Sequence, residues 1–191
     1  MRAPLLGILA SSYPQAPATS FESIATVTVG SGGSSSISFS SIPNTYKHLQ
    51  IRGIARNTGG TTTFELTTIQ FNSDTSTANY AIHQLRGDGS TAAAIGYGTG
   101  TVGYGIAGYN ASGGNTAGIF GTTIIDILDY TNTSKYKTIR SLNGWDKNGA
   151  GNVSLASSLW LNTNAITSIT LGDQSYNLAQ YSSFALYGVK G

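Results

Sequence analysis

From Phe21 onward, apolar and polar residues alternate with a period of two. Ala25, Val27 and Val29 interleave with Thr26 and Thr28, the pattern of a strand with one buried face. Gly30-Ser31-Gly32-Gly33 breaks this run, and Ile37 and Phe39 then alternate with serines. After Ser41-Ile42-Pro43-Asn44, Leu49, Ile51 and Gly53 alternate with Gln50, Arg52 and Ile54. Phe64 to Phe71 is β-branched and aromatic, and Tyr80 to Leu85 runs into Gly87-Asp88-Gly89, a strong hairpin-turn signal. Ile124, Ile125, Ile127 and Leu128 crowd the next apolar segment, which predicts a strand buried on both faces. Tyr136 to Leu142 predicts another strand, with Asn143-Gly144 opening a loop that runs through Trp145 to Gly151. Val153, Leu155, Ser157 and Leu159 alternate with Ser154, Ala156, Ser158 and Trp160. Ile166, Ile169 and Leu171 mark the next strand, and Tyr181 to Val189 the last.

About ten short strands separated by turn signals, with no helical stripe, predict an all-β fold. The strand count suits an antiparallel β-sandwich of jelly-roll-like form better than a seven-stranded immunoglobulin-type sandwich. The sandwich domain is assigned to residues 21–191. Residues 1–20 are assigned to an extended N-terminal arm, because Pro4, Pro14 and Pro17 oppose regular pairing. Leu5, Leu6, Ile8, Leu9 and Tyr13 make that arm apolar, so it either folds back on its own domain or is an anchor that docks on a partner, the reading taken for function. Met1-Arg2 before Leu5-Leu6-Gly7-Ile8-Leu9-Ala10 resembles a signal peptide, but the apolar run is short for one and Pro4 interrupts its start.

Composition narrows the functional classes. Only 9% of the 191 residues are charged, against about a quarter in ordinary soluble domains. A surface of Ser, Thr, Asn, Gly and Tyr suits close contacts between subunits, since few ions need desolvating. The net charge is +2 and the basic residues are scattered, so no nucleic-acid partner is expected. No apolar run reaches the ~20 residues that span a bilayer, and no membrane partner is expected. The absence of cysteine excludes disulfides, thiolate metal sites and cysteine nucleophiles.

Candidate chemistry is thin. His48 and His83 are the only imidazoles, and neither has a carboxylate close in sequence. No nucleophile elbow or zinc-binding helix motif occurs. Asp126 and Asp129 sit three apart in an expected strand, on opposite faces. Asp146, Asn148 and Asn152 lack the further oxygen ligands of a calcium loop. No cofactor, no metal and no enzymatic activity are expected. Arg86-Gly87-Asp88 spells an integrin-binding tripeptide, which turn formation explains equally well. Residues 92–118 are rich in Gly, Ala, Thr and Tyr, with Gly96-Tyr97-Gly98 and Gly103-Tyr104-Gly105. They read either as a long hairpin or as a contact surface where glycine admits a close neighbour. Tyr97, Tyr104, Tyr109 and Trp145 are the candidate rings for an interface or for stacking on a glycan.

Several segments resemble virion structural proteins of tailed bacteriophages. These are Pro4-Leu5-Leu6-Gly7-Ile8-Leu9-Ala10-Ser11-Ser12, Phe21-Glu22-Ser23-Ile24-Ala25-Thr26-Val27-Thr28-Val29-Gly30, Phe39-Ser40-Ser41-Ile42-Pro43 with Tyr46-Lys47-His48-Leu49-Gln50-Ile51-Arg52, and Phe184-Ala185-Leu186-Tyr187-Gly188-Val189-Lys190-Gly191. The resemblance spans nearly the whole chain and is weakest over 92–118. It implies a virion component, assembled in the host cytoplasm, without a known reaction. Two roles follow as expectations. The first is a capsid decoration (cement) protein or short head fibre, a homotrimer anchored by its arm to the major capsid protein. The alternative is a tail fibre or baseplate adhesin that binds host surface glycans.

Overall fold

The computed structural model describes residues 20–60 and 64–191. The described residues form twelve strands. They are β1 (Phe21–Thr28), β2 (Ser36–Phe39), β3 (His48–Ala55), β4 (Phe64–Phe71), β5 (Tyr80–Gly87) and β6 (Ala92–Tyr97), followed by β7 (Gly105–Ala111), β8 (Gly121–Leu128), β9 (Lys137–Asp146), β10 (Gly151–Trp160), β11 (Ile169–Asp173) and β12 (Ser183–Val189). Two antiparallel sheets face each other. The large one has the order β1-β12-β3-β8-β9-β10-β5-β6, and the small one β2-β11-β4-β7. The expected all-β sandwich is therefore present.

Its topology is a jelly roll with an addition. The blocks β1-β12-β3-β8 and β2-β11-β4-β7 exchange the chain at each step from β1 to β4, and again at β7–β8 and β11–β12. That is the double Greek key of an eight-stranded jelly roll. The hairpins β5–β6 and β9–β10 are inserted between β4 and β7 and between β8 and β11. They extend only the large sheet, in the order β9-β10-β5-β6.

The period-two pattern explains the core. Leu49 and Ile51 of β3, Ile125 and Ile127 of β8, and Phe184 and Leu186 of β12 point inward from the large sheet. Ile37 and Phe39 of β2, Ile69 and Phe71 of β4, and Ile169 and Leu171 of β11 meet them from the small one. Gly53 leaves room for the Phe184 ring, which occupies the space a Cβ would take. One corner is fixed by Asp74, which accepts hydrogen bonds from Trp160 Nε1 at 2.8 Å, from Asn79 and from the Ser76 amide.

Two cations hold loops through carbonyl oxygens. Arg56 donates to the carbonyls of Gly113, Asn115, Thr116 and Ile119. The buried Lys137 donates to those of Asn132, Lys135 and Thr163, and desolvation pushes its pKa down.

Three expectations are corrected. Asn143-Gly144 opens no loop, because β9 continues to Asp146 and the chain turns at residues 147–150. β8 is not buried on both faces, because nothing among the described residues covers the side of the large sheet that carries Ile124 and Leu128. Residues 92–118 are not one long hairpin, because β6 closes the large sheet and β7 closes the small one.

Candidate functional site

β7 is the edge strand of the small sheet and lies across β8, β9 and β10. All seven of its residues are buried. Small residues make this possible. A Cβ on Gly105 would stand 2.9 Å from the Ser158 Cβ, and one on Gly108 2.9 Å from the Asn143 Cβ. Glycine here does admit a close neighbour, which is the chain's own large sheet.

An edge strand has backbone groups without ladder partners, and buried ones must be paired. Side chains of the large sheet supply the partners. The Ile106 amide donates to Ser158 Oγ at 2.9 Å, and Ser141 Oγ donates to the Ile106 carbonyl at 2.9 Å. Thr123 Oγ1 donates to the Ala107 carbonyl, and Asn143 Nδ2 to the Tyr109 carbonyl. Ser154 donates to Asn143 Oδ1 and completes the layer. Where they face β7, the buried sides of β9 and β10 therefore carry Ser141, Asn143, Ser154 and Ser158 among the apolar Ile139, Trp145, Ala156 and Trp160, and the polar ones are chosen by the backbone they seal.

Side chains alternate across a strand, so the residues between those serines point outward. They are apolar. Ile124 of β8, Leu142 of β9, Leu155 of β10 and Leu85 of β5 stand side by side in one row of cross-strand partners. Val153 stands one row away, between Gly144 and Gly87. These five side chains are 42–58% exposed. The row crosses four strands, about 15 Å at the usual strand spacing. Sealing the β7 backbone accounts for the serines; nothing within the described chain accounts for the leucines.

The rest of the outer face differs. Asp126 accepts from Arg140 at 2.7 Å and from Gln50 at 2.9 Å. Burial raises the Asp126 pKa, but these two partners outweigh it and hold the carboxyl below its ordinary value. Arg52 donates to Gln50 and lies over the rings of Phe21 and Tyr187. Outward groups on that side satisfy one another.

The residues singled out in the sequence fall in several places. Leu5, Leu6, Ile8, Leu9 and Tyr13 lie outside the described residues. Tyr97, on edge strand β6, is 44% exposed, whereas Tyr109 and Trp145 are 8% and 6% exposed. The latter two therefore offer no open ring for stacking: Tyr109 packs with Trp145 between the sheets and its hydroxyl donates to Gln84. Tyr104 donates to Gln174, and burial pushes its phenol pKa up.

His48 does meet a carboxylate, which the sequence did not suggest. Its Nδ1 accepts the Asp129 amide at 3.0 Å and lies 3.8 Å from the Asp129 carboxylate, which Lys47 and Lys135 also hold. Arg86 lies over Tyr109, and Asp88 caps its own turn through Ser90 and Thr91. The Arg86-Gly87-Asp88 tripeptide is thereby absorbed into the hairpin. Asp146 caps the next turn through the Asn148 amide. An open depression of about 770 Å³ separates these two tips. Among the described residues, no three His, Asp or Glu side chains gather as a metal-ligand group.

Sequence reasoning missed the outward row. Its signal lay in the facing stretches of β9 and β10, where Leu142 alternates with Ser141 and Asn143, and Val153 and Leu155 with Asn152 and Ser154. Either set could be the inner one, and only the position of β7 decides. No family model, curated protein or solved structure matches the chain.

Proposed function

We propose that the protein is a non-enzymatic structural component of a tailed-phage virion, a capsid decoration protein or short head fibre. It joins an assembly through the outer face of the large sheet, while residues 1–20 anchor it to the particle. The exposed row of Ile124, Leu142, Leu155 and Leu85 carries this reading. The sequence resemblance set out above supports the virion, and the low charge of the surface supports close tiling.

Magnitudes favour attachment in many copies. Burying a Leu, Ile or Val fully is worth about 1.5–3 kcal/mol. Five side chains about half exposed therefore offer roughly 4–7 kcal/mol when covered. Association costs about 4–15 kcal/mol in lost freedom, so one such row against a flat partner is marginal. Repetition of the contact on a particle raises occupancy without any new contact.

The test is occupancy on purified particles, read by quantitative mass spectrometry. Leu142→Glu with Leu155→Glu is expected to lower it at least tenfold, and deletion of residues 1–13 to abolish it with the β-fold retained in circular dichroism. Wild-type occupancy for both variants would reject assembly by this route. Glycan-array binding lost on Tyr97→Ala would move the reading to a tail adhesin, and turnover of a bacterial polysaccharide would make the protein an enzyme.

A further inference from the structure

Large and small outward residues are distributed unevenly over the large sheet. On the β3–β8 side, before β12 continues them, the three outward rows hold Ile54 and Thr122, Arg52 and Ile124, and Gln50 and Asp126. On the β5–β6 side, the same rows end in Gly87 and Ala92, in Leu85 and Ala94, and in His83 and Gly96. Between them, β9 and β10 place Gly144 beside Val153, Leu142 beside Leu155 and Arg140 beside Ser157.

A two-fold axis along the strands, midway between β9 and β10, sets each row against its own reverse. In a self-complementary contact of this kind, residue i meets j and j meets i. Val153 of one copy then projects over Gly144 of the other, and Leu142 lies on Leu155. Ile54 faces Ala92, Arg52 faces Ala94, and Gln50 faces Gly96. Asp126 faces the imidazole of His83. Bulk meets space at the ends of the rows and at Val153, apolar side chains meet in the middle where Leu142 lies on Leu155 and Ile124 on Leu85, and the Asp126 carboxylate, already held by Arg140 and Gln50, lies opposite an imidazole. An axis across the strands through the leucine row instead sets each residue against another row of its own strand, Val153 against Ser157, Ile54 against Gln50 and Asp126 against Thr122, and the valine–glycine and carboxylate–imidazole pairs are lost.

From this we infer that the occupant of the outer face is a second copy of the chain, packed sheet on sheet about this axis. Facing sheets pack about 10 Å apart with strands within about 30° of each other, which lets the outward leucines interdigitate. A second copy also brings its own apolar row, so the apolar area withdrawn from water is twice that against a flat partner. The inference rests on the reading of this face as an assembly surface. It replaces the expected trimer with a dimer as the unit that forms first.

Sedimentation equilibrium of the full chain in solution tests it. The wild type is expected to be a dimer, and Leu155→Glu to weaken dimerisation at least a hundredfold. The decisive variants are at the knob and hole. Gly144→Val places valine against Val153 and is expected to weaken the dimer at least tenfold. A Cβ at Gly144 meets only ordinary contact, 3.4 Å from the Asn152 carbonyl oxygen, and thermal unfolding checks that the fold also accepts the two further methyls of valine. Gly144→Val combined with Val153→Gly exchanges knob and hole and is expected to restore wild-type association. A trimer, a monomer at all concentrations, or failure of the exchange to restore would overturn the inference. If Leu142→Glu with Leu155→Glu still lowers particle occupancy in those cases, the assembly reading stands and only the identity of the occupant falls.

Discussion

Strand β3 and the part of strand β10 around Ser154 belong to one sheet and have opposite polarity. In β3, Leu49 and Ile51 are buried, while Gln50 and Arg52 lie on the outer face. In β10, Ser154 and Ser158 are buried, while Val153 and Leu155 are exposed. What lies across the sandwich makes the difference. β3 faces apolar side chains of the small sheet, and burying hydrocarbon against hydrocarbon is the main gain there. β10 faces the backbone of an edge strand, whose buried amides and carbonyls need partners more than they need methyl groups. A strand's inner face is thus set by the chemistry of its neighbour, and hydrophobicity alone does not identify it.

The contrast can be broken or sharpened by mutation, with unfolding followed in denaturant at protein concentrations low enough to keep the chain monomeric. Ile51→Ala removes a fully buried side chain from the apolar layer and is expected to cost about 2–5 kcal/mol. Asn143→Ala leaves the Tyr109 carbonyl and Ser154 without their partner and is expected to cost about 1–3 kcal/mol. A cost near zero would mean that side chains do not seal β7. Leu155→Ser, on the outer face of the same hairpin, should stay within about 0.5 kcal/mol, as surface changes do. A loss above about 1.5 kcal/mol would show that this face is already packed within the free chain.

The smallest effect is confined to acid and belongs to the jelly-roll half. Lys135 and Lys47 hold the Asp129 carboxyl at about 2, below its ordinary 3.8. A carboxyl whose pKa is depressed on folding stabilises the fold above its unfolded value, and that contribution fades as pH falls through the folded one. Asp129→Asn should therefore be less stable than the wild type near pH 6 and converge on it as pH falls through about 2. A difference that persists unchanged at pH 2 would show that the ion pairs are not its source.

Much of the architecture could be read from the residues. Alternation placed most of the strands, and glycine and asparagine clusters placed the turns, because the two-residue repeat and the turn chemistry are local properties. The errors came where a local signal had a non-local cause. Asn143-Gly144 reads as a turn, yet Asn143 is a buried partner of the Tyr109 carbonyl inside β9. Tyr109 and Trp145 read as exposed platforms, yet β7 carries Tyr109 beneath the surface and Trp145 closes over it. The outer row could not be found at all, since either half of the β10 alternation serves equally as a core.

The sequence by itself determined that this chain forms short antiparallel strands, because side-chain period and backbone preference are written within a few residues of each other. Tertiary structure alone decided that the serines of β9 and β10 are inside and their leucines outside. That choice depends on β7 settling over β9 and β10, a contact between segments more than thirty residues apart. Its buried backbone draws the serines inward, and the leucines are left on the surface.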